Sequence, residues 1–161
     1  MKLTIERAAL LRSLNHIQSV VERRNTIPIL ANVMVEANDA GVNLRETDMD
    51  ISIVESVAAT AAVTGATTAH AHTLYDIVRK LPDGAQIELD DGGESDRLTL
   101  RAGRSRFTLS TLPTADFPTM SAGDLPHSFA VSAGDLLALV DRTRFAISTE
   151  ETRYYLNGIY L

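Results

Sequence analysis

The sequence predicts an α+β domain in which two helices pack on antiparallel sheets. Two segments carry apolar residues at helical spacing, and each is followed by several short β-favouring runs separated by turn residues. Hydrophobic residues make up 45% of the 161 residues, which is enough for a substantial core. Because several strands follow one another between the two helices, antiparallel sheets covered by helices are favoured over alternating parallel units.

The first helix is expected at Arg7–Val21, directly after a strand at Lys2–Ile5. Within it, Leu10, Leu14 and Ile17 share one face, as burial of a single helix face requires. The β-favouring runs that follow it predict strands at Ile29–Glu36, Val42–Arg45, Asp50–Ala58 and Thr67–Ala71.

The second helix is expected over residues 74–81 and ends at Pro82, which cannot continue it. Three further strands are predicted at Gln86–Leu89, Arg97–Arg101 and Arg106–Leu112, the first two joined by a hairpin at residues 90–93.

The chain then repeats its opening pattern. Residues 119–127, which contain Gly and Pro, are expected to link a first domain at 1–118 to the start of a second at 128–161. Phe129–Leu161 aligns with Leu3–Val35 without a gap, so strand, helix and returning strand recur in phase. Such a second domain lacks the strands that close its core, and we expect the chain to be part of a longer one.

Composition excludes several classes of protein. The net charge of -6 excludes a generally basic coat for nucleic acid, although a local basic surface stays open. Without cysteine there is no disulfide framework, zinc-thiolate site or thiol nucleophile. No apolar run is long enough to span a membrane and the start does not resemble a signal peptide, so a cytoplasmic protein without a membrane partner is expected.

A metal-dependent hydrolase is one alternative. His70 and His72 are two residues apart, and Glu46, Asp48 and Asp50 alternate in the same way, so each set could share one face of a strand. The sequence contains no phosphate-binding glycine loop and no nucleophile elbow. We therefore expect no enzymatic activity and no cofactor.

Five stretches of the sequence resemble the bacterial DNA polymerase III β subunit family, the β sliding clamps. They follow the family's order and are Met1–Arg7, Arg24–Leu30, Glu46–Asp50, Gly103–Pro118 and Arg153–Gly158. The resemblance implies the DNA-clamp fold and, in the full-length protein, a head-to-tail homodimer ring with three similar domains per subunit. Such a ring encircles duplex DNA and tethers the replicative polymerase, which makes it a processivity factor. An interaction module of the same fold that never touches DNA is the other alternative.

DNA-binding residues follow partly from the resemblance and partly from the first helix. The helix face with Arg12 and Arg23 suits loose phosphate contacts that permit sliding, although it could be an ordinary solvated face. By resemblance, His72 stands where the family often has a basic residue. The residues expected at the DNA are Arg12, Arg23, Arg24, His72, Tyr154 and Asn157.

A peptide-binding pocket is the second site that the resemblance implies. In this family, short linear motifs of the polymerase III α subunit, the clamp loader and repair proteins dock there. Arg153, Tyr155 and Leu156 match its first members, and an arginine and a tyrosine beside an apolar residue can anchor a peptide. A buried strand with one exposed tyrosine is the alternative. Because the family's pocket lies mostly beyond Leu161, we expect this chain to bind such peptides poorly.

A subunit joint is the third implied site. Arg97, Arg104 and Arg106 recur on neighbouring strands with Leu109, which predicts a basic edge with an apolar anchor. Arg104 and Arg106 are two apart and are expected to face the same way on one strand. The family pairs this edge with an acidic edge on the third domain of the other subunit. A charged edge strand that discourages aggregation is the alternative.

Overall fold

The computed structural model describes residues 1–18, 26–93, 96–119 and 126–160. The chain divides into two compact units, Met1–Met120 and Ser121–Leu161. The strands of the first unit are β1 (Lys2–Glu6), β2 (Asn32–Asn38), β3 (Gly41–Thr47), β4 (Ser52–Val57), β5 (Thr60–Val63), β6 (Gly65–His70), β7 (Gln86–Asp90), β8 (Arg97–Ala102) and β9 (Ser105–Ser110). Its helices are α1 (Arg7–Ile17) and α2 (Ala71–Lys80).

Two antiparallel sheets form the frame of the first unit. One has the strand order β5-β1-β7-β8-β9 and the other β4-β3-β2-β6. Side chains alternate along the strands, so that Leu3 and Ile5 of β1 are buried and Thr4 between them is exposed. The buried faces of both sheets and of both helices contribute to one hydrophobic cluster. The predicted α+β class is therefore confirmed.

Each helix buries one apolar face and begins at a side-chain cap. Leu10, Leu14 and Ile17 of α1 are at most 1% exposed. At its start, the Glu6 carboxylate accepts a hydrogen bond from the backbone N–H of Ala9 at 2.9 Å, and backbone hydrogen bonds lower the pKa of Glu6. In α2, the imidazole of His70 occupies the capping position.

Several details of the first unit differ from the sequence-based prediction. Helix α2 begins at Ala71, which was expected to end a strand, and it ends at Lys80 rather than at residue 81. The structure describes α1 as ending at Ile17 with Gln18 as its C-terminal cap, and residues 19–21 of the predicted helix lie outside the described part. The predicted strand at Ile29–Glu36 starts with a 3-10 turn at Pro28–Ala31, because proline at a first helical position presets φ and needs no N–H partner. The strand β5 was not predicted, since its sequence Thr-Ala-Ala-Val carries a weak strand pattern.

The second unit contains a helix, α3 (Ala133–Thr143), capped by Ser132, whose hydroxyl accepts from the N–H of Asp135 at 3.1 Å. The strand expected to return after this helix is not formed in the described residues: Glu151–Leu156 forms 3-10 turns, and no strand is described at residues 157–160. A strand needs a neighbouring strand for its backbone hydrogen bonds, and residues 126–160 contain no strand that could pair with it. Within the described ranges, no helix is long and apolar enough to cross a membrane.

The Thr68 hydroxyl joins three segments of the first unit. It accepts hydrogen bonds from the side-chain amide of Asn32 on β2 at 3.1 Å and from the N–H of Leu112 at 2.8 Å. It also lies 2.8 Å from the Leu112 carbonyl oxygen, to which it can donate. Both Thr68 and Asn32 are buried, so water cannot replace these bonds.

We expect Thr68→Val to lower the free energy of unfolding by about 2 kcal/mol, because it leaves the buried amide of Asn32 and the N–H of Leu112 without their acceptor. Thr67→Val is the matched control, since the Thr67 hydroxyl makes none of these contacts. Urea unfolding of both variants measures the effect. Equal destabilisation by the two variants would contradict the role of the Thr68 hydroxyl.

Candidate functional site: helix surface, tyrosine turn and basic strand edge

The helices α1 and α2 lie side by side, and their outer faces form a polar surface. Arg12 of α1 is exposed, as is Arg79 of α2. The Tyr75 hydroxyl on α2 lies 3.4 Å from the side-chain oxygen of Asn15 on α1. An open groove of about 570 Å³ is lined by Gln18, His72, Tyr75, Asp76 and Arg79.

One residue that lines the groove, His72, was predicted to bind DNA. The other lining residues were not selected from the sequence. The Arg79 guanidinium lies 3.1 Å from Asp76 and stacks 5.5 Å from the centre of the Tyr75 ring. His72 is half-buried, and in the described part of the chain its Nε2 is buried without a hydrogen-bond partner. The sequence could have indicated that Tyr75 and Arg79 belong to one surface, because residues four apart lie on the same face of a helix.

Arg23 and Arg24, the two remaining basic residues predicted to contact DNA, lie outside the described residues. Their positions relative to Arg12 and His72 stay a prediction.

The second unit brings the other predicted residues together in one turn after α3, residues 153–157, which we call the tyrosine turn. Tyr154 and Tyr155 are 79% and 72% exposed and meet edge to face, with ring centres 5.6 Å apart. Leu156 is 47% exposed, and the Nε of Arg153 lies 2.8 Å from the carboxylate of Glu150. The alternative of a buried strand is therefore wrong for the described residues, since these side chains face solvent.

Asn157 holds this turn in shape. With its amide nitrogen turned toward the backbone, the side chain reaches the carbonyl oxygens of Ser148 at 3.0 Å, Arg153 at 3.1 Å and Glu150 at 3.3 Å. The Ser148 N–H in turn donates to the Leu156 carbonyl at 2.8 Å. The side chain of Asn157 thus orders the backbone that carries the two tyrosines.

The predicted basic edge lies at β8 and β9. Arg97 and Arg106 are exposed on these two strands, and Arg101 of β8 pairs in register with Arg106 of β9. Arg104 was expected on the same strand as Arg106, but this prediction is wrong. The chain turns at Gly103 (φ +56°) and Arg104, and β9 begins only at Ser105. Among the described residues, β9 has a single strand neighbour, β8, and forms the edge of its sheet.

Leu109 does not provide an exposed anchor at this edge. It is 5% exposed and belongs to the hydrophobic core. Phe107, two residues earlier, is 36% exposed and lies on the strand that ends this sheet in the described part of the chain. Strand alternation places Phe107 and Leu109 on the same face of β9, so the alternation alone does not show which of the two is exposed.

The groups considered for a metal-dependent hydrolase do not converge. Strand β6 ends at His70, and His72 lies inside α2, with 6.3 Å between the two ring centres. Glu46 is fully buried, whereas Asp48 accepts hydrogen bonds from the N–H groups of the loop that follows it. Within the described ranges, no three His, Asp or Glu side chains are placed to hold a metal ion.

The unit of two antiparallel sheets and two helices has the fold of a DNA-clamp domain, because sliding clamp structures superpose closely on this chain. The family model for the DNA polymerase III beta subunit, N-terminal domain, matches residues 1–121. The chain belongs to the DNA polymerase III beta subunit family.

Relatives and solved structures agree with this assignment. The chain is 57% identical over its full length to the beta sliding clamp of Caulobacter vibrioides and spans 43% of that protein. A crystal structure of the DNA polymerase sliding clamp from Caulobacter crescentus superposes with a TM-score of 0.95 over 99% of this chain and 43% of its own, at 57% identity. The sliding clamp of Bartonella birtlesii bound to griselimycin superposes with a TM-score of 0.94 at 48% identity, over 99% of this chain and 42% of its own.

Proposed function

We propose that the protein to which this chain belongs is a DNA sliding clamp subunit that encircles duplex DNA and tethers the replicative polymerase, acting in the cytoplasm as a processivity factor rather than an enzyme. The observation that carries this proposal is the match of residues 1–121 to the N-terminal domain of the polymerase III beta subunit. The superposition of 99% of this chain on 43% of a sliding clamp structure supports it.

The exposed surface of α1 and α2 fits loose, sequence-independent contact with DNA. Arg12 supplies a positive charge that reaches solvent, and the half-buried His72 lines the neighbouring groove with its Nε2 turned into the protein. A cation such as Arg12 that contacts a phosphate carries no sequence information, and such contacts permit sliding. Arg23, Arg24, Tyr154 and Asn157 remain the other proposed contacts, with Asn157 acting by ordering the turn.

The tyrosine turn fits a docking site for linear motifs. Arg153, Tyr155 and Leu156 present a cation, an aromatic ring and an aliphatic side chain within four residues, all of them exposed. Aromatic and arginine side chains of this kind anchor peptides in pockets. We propose that motifs of the polymerase III α subunit, the clamp loader and repair proteins bind there in the full-length protein.

The edge at β9 fits the joint of a head-to-tail homodimer. Arg97, Arg104 and Arg106 supply positive charge, and Phe107, in place of the buried Leu109, supplies the exposed apolar contact. An acidic strand edge of another subunit would complement this surface in both charge and backbone hydrogen bonding.

Retention on circular DNA tests the clamp function. A protein of the full length of the relatives, loaded on nicked circular DNA, is expected to stay bound and to be released when the circle is cut, because a ring is held topologically. Arg12→Glu is expected to reduce the salt slope of binding by about 0.9, the contribution of one phosphate. Lys2→Glu, on an outward-facing position of β1, is the control with the same charge change. Equal dissociation rates from circular and linear DNA would refute the clamp function.

A further inference from the structure

Asn157 combines a reactive sequence with a structural role in the tyrosine turn. Of the six asparagines in the chain, it is the only one that is followed by glycine. An asparagine side chain cyclises onto the backbone most readily before glycine, because glycine carries no side chain that hinders the approach of its nitrogen. Both Asn157 and Gly158 are exposed, so water reaches this position. The pair has the chemistry that deamidation requires.

The backbone of the closed turn keeps the reacting groups apart. Ring closure requires the Gly158 nitrogen to lie on the Cβ side of the Cα–C bond of Asn157. The ψ of Asn157 is −1°, which places that nitrogen beside the backbone nitrogen of Asn157 instead. The side chain is held as well, because its amide nitrogen lies 3.0 Å from the Ser148 carbonyl oxygen and 3.1 Å from that of Arg153. Asn157 must therefore leave this arrangement before it can react.

Gly158 allows this rearrangement without a steric penalty. A Cβ placed on Gly158 would meet no atom within 4 Å, so the peptide unit that follows Asn157 can rotate freely. Within the described ranges, the N–H of Gly158 makes no hydrogen bond that this rotation would break. The Ser148 N–H donates to the Leu156 carbonyl oxygen at 2.8 Å and closes the turn. This backbone bond and the side-chain contacts of Asn157 therefore oppose the opening.

The reaction in the opened turn needs water as its only co-reactant. The Gly158 nitrogen attacks Cγ of Asn157 and forms a C–N bond. The side-chain nitrogen leaves as ammonia and takes up the proton of the Gly158 N–H. Water then opens the cyclic imide at either carbonyl, which leaves aspartate or isoaspartate at position 157.

The product cannot restore the contacts of the turn. A carboxylate accepts hydrogen bonds but has no N–H to donate. At position 157 it would face the carbonyl oxygens of Ser148, Glu150 and Arg153, which are acceptors too. Acceptors that face one another repel, and the exposed position allows the charged side chain to turn to water instead. The closed turn is therefore available to asparagine and not to its product.

We propose that Asn157 is a deamidation site under the control of the tyrosine turn. Asn157 reacts with Gly158 when the turn opens, and the carboxylate that forms keeps the turn open. A transient opening is thus converted into a lasting change of the surface that carries Tyr154 and Tyr155. The inference concerns the chain alone, and it holds or fails independently of DNA contact and of motif docking.

Peptide mass spectrometry of the 161-residue chain, incubated at neutral pH, tests the site. We expect Asn157 to gain about 1 Da and to react faster than Asn38, which is followed by Asp39. Gly158→Ala should lower the rate at Asn157 about tenfold, because the added methyl group hinders the attacking nitrogen although the fold has room for it. An unchanged rate in Gly158→Ala, or an Asn157 that reacts no faster than Asn38, would overturn the proposal.

Two variants of Ser148 test whether the turn controls the reaction. Ser148→Pro removes the N–H that donates to Leu156, and Ile147 is already extended, as the residue before proline must be. Ser148→Ala is the matched control, since both variants lose the hydroxyl that accepts from the Glu150 N–H. We expect Asn157 to react about tenfold faster in Ser148→Pro than in Ser148→Ala, the effect of one lost hydrogen bond. Circular dichroism confirms that both are folded, and equal rates would overturn the proposal.

Limited proteolysis of Asn157→Asp tests whether the product keeps the turn open. Trypsin cleaves after arginine in opened segments, so cleavage after Arg153 should be about fivefold faster in this variant than in wild type. Thr149→Asp adds the same charge at an exposed position outside the turn and should leave the cleavage rate unchanged. A wild-type cleavage rate in Asn157→Asp, or the same acceleration in Thr149→Asp, would contradict the proposed effect of the carboxylate.

Discussion

Replacing Glu46 with glutamine is expected to stabilise the folded chain relative to wild type by about 3 kcal/mol more at pH 8 than at pH 4. Glu46 lies on β3 with no exposed surface, and neither of its carboxylate oxygens has a hydrogen-bond partner among the described residues. Burial, together with the nearby charge of Asp48, raises the pKa of Glu46 from 4.5 to about 7.

The direction of the effect follows from proton binding. The folded state has the higher pKa for Glu46, so between pH 4.5 and about 7 it holds a proton that the unfolded chain has released. The contribution of this group to stability is complete below pH 4.5 and is lost as the pH rises through 7. Glutamine carries no titrating proton, so position 46 contributes no pH dependence to the stability of the Glu46→Gln variant.

Urea unfolding of wild type and Glu46→Gln at the two pH values measures the difference. Any cost of fitting the amide into the core is the same at both pH values and cancels in the comparison. The change in the free-energy difference between pH 4 and pH 8 therefore measures the effect of the buried charge. Glu36→Gln, at a half-buried position of the neighbouring strand β2, controls for the loss of one negative charge. The same pH dependence in both variants would contradict the assignment to Glu46.

Gly41→Ala is expected to destabilise the first unit by about 3 kcal/mol or more. Gly41 begins β3 with a φ of +143°, and a Cβ placed there would lie 2.4 Å from the backbone carbonyl oxygen of Val57 on β4. Relief of this clash requires β3 and β4 to move apart, which breaks their register. Thermal and urea unfolding measure the loss.

Gly103→Ala is the matched control. Gly103 also has positive φ, +56°, but a Cβ there meets no atom within 4 Å. It should cost about 1 kcal/mol, the ordinary penalty for a side chain in the left-handed region. If both substitutions destabilise equally, the close approach of Val57 does not explain the requirement for glycine at position 41.

Local sequence patterns accounted for most of the first unit. The 3.6-residue spacing of Leu10, Leu14 and Ile17 identified α1, because a helix on a sheet must bury one face. The strand expected to begin at Ile29 starts instead after a 3-10 turn at Pro28–Ala31, because packing decides which of the two the chain forms there. The weakly patterned strand β5 exists because β1 offers it an edge to pair with.

Site residues were found less completely, because exposure depends on neighbours that are distant in sequence. Tyr154 and Tyr155 were selected as matching residues and are exposed, yet they lie on turns rather than on the predicted strand. Strand alternation does not distinguish Phe107 from Leu109, and only the exposed fraction of each side chain in the structure shows which one reaches solvent.

By itself, the sequence determined the α+β class, the helix faces and the resemblance to the clamp family, since these depend on periodicity and on short matching stretches. Only the tertiary structure decided that Glu46 is buried with no hydrogen-bond partner among the described residues, that Arg104 lies in a turn, and that Phe107 rather than Leu109 is exposed on β9. Burial, hydrogen-bond partners and sheet edges arise when segments far apart in the chain pack together, so no local pattern encodes them.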